Sequence, residues 1–295
     1  MTSRPENSPK QSASKLPAGL YLVSVPIGNL KDITLRALEV LQAADKIACE
    51  DTRVTARLLT AHGIAPAGRL VACHDHNEAG RATQFAEMIE GGASIALVSD
   101  AGTPLVSDPG LAVVREVTAR GLPITAAPGP SAAIMALSIS GLPSNRFCFC
   151  GFAPVKAGAL RKWLAELAPV PATLILYESP RRLSKSLPIM AELLPNRSAV
   201  VARELTKLHE EVRRGTLTDL ASHYATADTP KGEVVLVISP PGANEVKPEE
   251  VDIDAALMDA LSRLPIGKAA SEVARANGMS RKDLYARAMQ LKHGE

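Results

Sequence analysis

The 295-residue chain is short of aromatic residues: four Phe, four Tyr and one Trp make up 3% of it. So few rings exclude a protein that reads single-stranded nucleic acid mainly by stacking bases on side chains. Net charge is equally scarce. Lys and Arg number 33 against 31 Asp and Glu, and the resulting +2 sets up no global field for a polyanion. The four cysteines, Cys49, Cys73, Cys148 and Cys150, show no Cys-x-x-Cys spacing. A chain of this length needs no disulfide staples, so they read as reduced thiols of a cytoplasmic protein. No apolar run approaches the ~18 residues of a membrane span. The polar start, residues 1–17, lacks the apolar centre of a signal peptide and reads as a disordered tail.

What the chain does have is 46% hydrophobic residues, enough for two domains with a core each. Apolar runs GLYLVSV (19–25) and ASIALV (93–98), and KIACEDTR (46–53), which reads as a strand with a charged exit, alternate with helical spacings at 35–44, 55–62, 81–90, 112–120 and 131–138. Strands alternating with helices predict a mostly parallel α/β sheet, whose ligands sit beyond the carboxyl ends of its strands. The rhythm breaks at 140–154. The second half offers three strands, TLILYES (173–179), SAVVARELT (198–206) and EVVLVIS (233–239), with helices at 159–167 and 182–194. The expected organisation is a tail (1–17), an N-terminal α/β domain (18–143), a C-terminal α/β domain (144–240), a linker (241–251) and a helical unit (252–295).

Charge is uneven along the chain: about −5 over 249–261, about +4 over 262–295 and about +5 over 155–215. Local basic surfaces can therefore exist on a near-neutral protein. In the last unit Ala274, Gly278, Ser280 and Leu284 follow helix-turn-helix spacing. Arg281, Lys282 and Arg287 make its second helix basic and a candidate nucleic-acid contact.

Chemistry-bearing residues cluster where strands are expected to end. VPIGNLKDIT (25–34) has one glycine, so it is neither a dinucleotide fingerprint nor a phosphate loop. Its Pro26–Gly28 kink allows close backbone approach to a ligand. Glu50 and Asp51 suit a site, but equally a helix N-terminus. CHDHNE (73–78) lacks the further ligands a zinc site needs, so no metal is expected. In APGPSA (127–132) Ser131 has the look of a helix N-cap facing the ligand edge. SDAGTPLVSDPG (99–110) is a rigid, polar loop at the end of a core strand. YESPRR (177–182) and ARELTKLHEE (202–211) carry Arg181, Arg182, Arg203 and Lys207 just after apolar strands, and these suit phosphate.

In this order VPIGNLKDIT, CEDTR, HDHNE, LVSDAGTPLVSDPG, PGPSA, YESPRR, ARELTK and KGE resemble the tetrapyrrole methylase family, over about residues 18–240. The resemblance implies a class III methyltransferase, with two α/β domains around a cofactor cleft plus the helix-turn-helix-like unit. It further implies S-adenosyl-L-methionine as cofactor, and 2′-O-methylation of a cytidine in the decoding region of 16S rRNA, within the small ribosomal subunit. A homodimer is expected too. By this resemblance the cleft is lined by Pro26, Ile27 and Gly28, by Asp100, Ala101, Gly102, Thr103 and Val106, and by Ser131, Ala132, Tyr177, Ala202 and Gly232. Gly102-Thr103-Pro104 stands where the family usually has Gly-Asp-Pro. Asp51, Glu50, Asp100, His74 and Lys207 are candidates for a general base, a lysine only if its pKa is pushed down. Arg53, Arg181, Arg182, Arg203 and Lys207 are candidate RNA contacts. The alternatives are a methyltransferase for a tetrapyrrole-type small molecule and a non-enzymatic nucleic-acid-binding protein on the same fold.

Overall fold

The computed structural model describes residues 15–74, 76–242, 253–277 and 279–293. The described residues form two compact units, divided at Pro240–Pro241. Most of the expected tail and linker, and the expected turn glycine Gly278, lie outside the described residues.

In the first unit, strands β1 (Gly19–Val23), β2 (Lys46–Cys49), β3 (Leu70–Ala72), β4 (Ser94–Val98) and β5 (Ile124–Ala127) form an all-parallel sheet in the order β3-β2-β4-β1-β5. Between them run α1 (Leu35–Ala43), α2 (Thr52–Ala61), α3 (Glu78–Glu90) and α4 (Leu111–Ala119). Central strands of such a sheet are apolar on both faces because helices cover both. Ala96 and Val98 of β4 pack with Leu41 on one face, while Ile95 and Leu97 meet Phe85 and Val113 on the other.

Helix α5 (Ala132–Ser140) ends at Gly141, whose φ of +79° is the left-handed conformation that glycine favours at a helix end. After it the chain enters a second sheet. This sheet contains β6 (Phe147–Phe152), β7 (Thr173–Glu178), β8 (Ser198–Arg203), β9 (Glu211–Thr216) and β10 (Val234–Ile238), in the order β6-β7-β10-β8-β9. Only the β6–β7 pair is parallel. Helices α6 (Ala157–Leu167), α7 (Leu183–Leu193) and α8 (Leu217–Thr226) cover one face, against Leu174, Leu176 and Leu236. The alternate residues Ile175, Val235 and Val237 face the other way, onto Ala133, Ala136 and Leu137 of α5. One helix of the first sheet's layer is thus the floor of the second sheet, which fixes the two sheets against each other.

Four features depart from the sequence reading. The strand expected over KIACEDTR stops at Cys49, because Asp51 caps α2 and starts a helix there. β6 falls within 140–154, where no strand was expected. β9 and α8 were also unforeseen. EVRRGT of β9 is charged because it is a half-exposed edge strand paired on one side only, with β8. α8 follows directly, opened by a capping box between Thr216 and Asp219.

The second unit is three helices, α9 (Ile253–Arg263), α10 (Ile266–Asn277) and α11 (Arg281–His293). They enclose a core of Leu257, Ala260, Ala269, Ala270, Val273, Ala274, Leu284 and Ala288. Ala274 and Leu284, singled out by spacing, are both buried in it.

Candidate functional site

The carboxyl edge of the first sheet gathers five chain segments. The loop after β1 and the loop after β4 pair through a two-residue bridge. Val25 N–H donates to the Gly102 carbonyl (2.8 Å), and Gly102 N–H donates back to Val25 (3.0 Å). Gly102 has φ +77°, a left-handed backbone that favours glycine, and lies in contact range of Ile27. The loop after β5 is tied in by side chains. Thr103 Oγ1 donates to the Pro130 carbonyl at 3.0 Å and lies 2.9 Å from Ser24 Oγ. Its one proton goes to Pro130, so Ser24 is the donor in the second bond. Gly129 lies so close to Ser24 that a Cβ would come within 3.0 Å of its side chain. Leu105 and Ser107, at φ +71° and +68°, hold the rest of the loop in a left-handed backbone. Non-glycine residues persist there only where surrounding contacts enforce it, commonly at functional sites.

These stitched loops form one wall of a cavity of about 410 Å³. That volume suits a small organic ligand. Ile27, Ala101–Thr103, Val106, Ser131 and Ala132 line it from the first sheet's side. Tyr177 and Gly232 line it from the second sheet's side. Nine of the thirteen expected cofactor residues therefore share one cavity. The other four do not line it. Pro26 and Gly28 flank Ile27. The stem of Lys207 lies directly over Gly28, where a Cβ would clash with it. Asp100 sits one residue outside, and Ala202 is buried in β8 beside Val235.

The sequence reading missed Ser107, Asp108, Phe152, Glu178–Pro180, Arg182 (placed elsewhere) and Glu233–Val235, which also line the cavity. Asp108 and Glu178 stand inside motifs already singled out. Phe152 belongs to the unforeseen strand β6, and its ring meets Tyr177 edge-on at 5.2 Å. Ser131 occupies the N-cap position of α5 but makes no side-chain capping bond. Its hydroxyl is thus not engaged by the helix, unlike that of Thr34 at α1.

The base candidates separate by environment. Asp51 caps α2 by accepting from Arg53 N–H (2.8 Å) and pairs with the Arg53 guanidinium (2.6 Å), which holds its carboxyl well below the usual range. It is a poor proton acceptor. Asp100, on the neighbouring strand end, accepts Asp51 N–H through Oδ1 (3.1 Å), and burial pushes its carboxyl up. Glu50 lines a separate, narrow crevice with Cys49 and Cys73. His74 stands at the end of β3, the sheet's outer strand, with Nε2 3.3 Å from the Asn77 amide, and does not reach the cavity. Burial pushes the Cys73 thiol beside it up to about 11. Among the described residues no three His, Cys, Asp or Glu are placed to share a metal ion. Lys207 contradicts its reading as a base. Burial lowers the pKa of its ammonium, but Glu204 (2.8 Å) and Glu233 (3.1 Å) outweigh that and raise it, so the amine stays protonated.

The candidate RNA cations separate as well. Arg182 donates to the Ala153 (3.1 Å) and Pro154 carbonyls and lies 3.3 Å from Glu178. Arg203 pairs with Glu211 (3.0 Å) and donates to the Lys231 carbonyl. Arg53, Lys207 and Arg287 are each paired with acids, the last with Asp254 at 2.5 Å. These five arginines and lysines spend their charge on the fold, which spacing alone does not reveal. Arg181, Arg281 and Lys282 are exposed.

Comparison with known proteins accords with this geometry. Residues 19–221 match the family described as Tetrapyrrole (Corrin/Porphyrin) Methylases, and residues 247–292 match the RsmI C-terminal HTH domain. The chain is 51% identical over 281 residues to a protein of Mesorhizobium japonicum named Ribosomal RNA small subunit methyltransferase I, covering 95% of this chain and 94% of that one. A protein of the same name from Erythrobacter litoralis is 52% identical, with 95% and 98% covered. Among solved structures, a cobalamin biosynthetic enzyme, cobalt precorrin-4 methyltransferase, superposes with a TM-score of 0.53 at 19% identity, covering 82% of this chain and 99% of that one. That likeness concerns the fold alone. With a family match over most of its length and relatives above half identity across nearly all of it, the chain belongs to the tetrapyrrole methylases, in the group of the ribosomal RNA small subunit methyltransferases I.

Proposed function

We propose that the chain transfers a methyl group from S-adenosyl-L-methionine to the ribose 2′-oxygen of a cytidine in the decoding region of 16S rRNA. The observation that carries this is the 410 Å³ cavity between the two sheets, in a chain with this family membership. The cavity's chemistry fits the cofactor. Ile27, Val106, Tyr177 and Val235 offer apolar surface for a nucleoside, and the Ala101–Thr103 backbone offers fixed donors and acceptors. Asp108 lies on the lining, with Glu178 and Glu233 held by Arg182 and Lys207, and its carboxylate suits a ligand carrying a sulfonium and an ammonium. When bound, the cofactor supplies an electrophilic methyl on positively charged sulfur.

The protein's own contribution is placement. Pro104, Pro109 and the Val25–Gly102 bridge hold the loop in shape before binding, which lowers the ordering cost. Asp100 is the residue we assign to take the ribose hydroxyl's proton. Its Oδ1 is engaged by Asp51 N–H and its carboxyl is a stronger base than an ordinary aspartate. The rRNA is met within the small ribosomal subunit, because a chain with nine aromatic residues has few rings on which to read a naked strand. The protein acts in the cytoplasm as a homodimer. The exposed apolar side chains of Leu35, Val155 and Leu208, 79%, 80% and 93% accessible, support a second copy.

The test is methyl transfer from labelled cofactor into small subunits from cells lacking the activity, mapped by resistance to alkaline cleavage. One protected cytidine in the decoding region is the expected result. Transfer into porphyrinoids instead, with none into rRNA, would overturn the reading. Light scattering at twice the chain mass checks the dimer.

A further inference from the structure

Beside the cavity lies a second depression of about 590 Å³. The turn after β7 and the segment before β10 form it, and it shares Ser179, Pro180 and Gly232 with the cavity. The two spaces therefore adjoin at those residues. Their charged linings differ. The cavity is lined by three carboxylates, of which Glu178 is paired with Arg182 and Glu233 with Lys207. The depression is lined by Arg181 and Lys231 and by no acidic residue. Both cations are exposed, and neither is ion-paired among the described residues.

The depression is also held in shape. Arg203, anchored by Glu211, donates to the Lys231 carbonyl at 3.1 Å. Glu204 N–H donates to the Glu233 carbonyl, and Glu233 N–H donates to Glu204 Oε1, both at 3.0 Å. The Glu204 side chain lies against Gly232, whose φ of +96° and missing Cβ make room for it. Pro180 and Pro230 stiffen the two segments. Arg203 and Glu204 thus fix the main chain that presents Lys231, and the lysine's charge stays available.

We propose that this depression seats a phosphodiester of the RNA, next to the nucleotide whose ribose reaches the rim at Ser179 and Gly232. This rests on the reading of the chain as an RNA methyltransferase. Two uncommitted cations on a fixed frame match an anion whose position must be set relative to a reacting oxygen. The cavity next door offers a phosphate no uncommitted cation, since Arg182 is paired with Glu178, so the backbone stays outside while the uncharged ribose enters. Unpaired cations on one side of the shared residues and none on the other therefore separate the place of the anionic substrate from that of the cofactor.

The experiment compares the full-length chain with Arg181→Gln, Lys231→Gln and the double variant. Cofactor affinity is measured by calorimetry. Small-subunit affinity is measured by filter binding across a salt series, and KM and kcat by labelled-methyl transfer. The double variant should bind small subunits at least about tenfold more weakly, as expected for lost charged hydrogen bonds. Its log K against log salt slope should be shallower by about 1 to 2. The catalytic loss should fall on KM, with cofactor affinity at the wild-type value. Lys231→Arg should behave as wild type. Unchanged subunit affinity and salt slope in the double variant overturn the proposal, and so does an equal loss of cofactor affinity. A wild-type chain that methylates no small-subunit RNA is a different result, because it sinks the underlying functional reading instead.

Discussion

Thr103 has one hydroxyl proton, and the fold uses it to join the loop after β4 to the Pro130 carbonyl. Its oxygen also receives Ser24, so one side chain links three strand ends. The polar group of Thr103 thus faces the protein's own scaffold. Thr103→Val keeps the shape and removes both bonds, leaving partly buried partners unsatisfied. It should cost about 1–3 kcal/mol of stability and weaken cofactor binding, while Thr103→Ser should keep most of both. Thermal melts and calorimetry check this. Asp100 allows a prediction of sign. Burial raises its pKa in the folded chain, so folding favours its protonated form. That stabilisation is complete below the unfolded pKa and is lost as pH rises through the folded one. Asp100→Asn should therefore gain more in Tm at pH 7.5 than at pH 4. The same substitution should lower kcat by about 10²–10⁴-fold if the carboxylate is the base. A kcat within a few-fold of wild type would return the role to solvent.

At the scale of elements, α5 matters most to the site. Its N-cap Ser131 stands on the cavity wall, and it packs Ala133, Ala136 and Leu137 against Ile175, Val235 and Val237 of the second sheet. Small residues on that face bring helix and sheet close, and Ala136 has no exposed surface. Ala136→Leu should cost about 1–3 kcal/mol through overpacking. It should also weaken cofactor binding although residue 136 does not line the cavity, since both walls move apart. A variant with lowered Tm and unchanged cofactor affinity would show the cavity to be independent of that contact.

At the scale of the molecule, both sheets and the cavity belong to the unit ending at Pro240, and the three C-terminal helices enclose a core of their own. A chain ended at Pro240 should keep cooperative unfolding and cofactor affinity, and should bind small subunits more weakly at equal salt. Calorimetry and filter binding on the truncated chain check this. Equal subunit affinity would remove the helical unit from RNA recognition. Within that unit Arg281 lines an open groove with Lys268 and Arg275, whereas Arg287 is spent on Asp254. The basic surface thus differs from the one that helix-turn-helix spacing suggests.

The parallel sheet, the carboxyl-edge loops and the helical unit were legible in the sequence, because apolar runs and strand-end motifs are local patterns. The family resemblance marked nine of the residues that line the cavity. Local pattern also explains the misses. β9 carries its charges because it is an edge, and β6 joins the sheet with Cys and Gly in a short, irregular run, so neither shows the alternation of a buried strand. Asp51 suits a site and a helix N-terminus equally by residue type, and its bonds to Arg53 decide for the cap. Lys207, Arg182 and Arg203 are basic at the right places in the chain, yet partners up to 29 residues away in sequence absorb their charge. Residue type and spacing determined which chemistry the chain carries and near which strand ends it lies. Tertiary structure decided which charges remain available and which proton acceptor is strong, because pairing and burial depend on neighbours that the order of residues does not place.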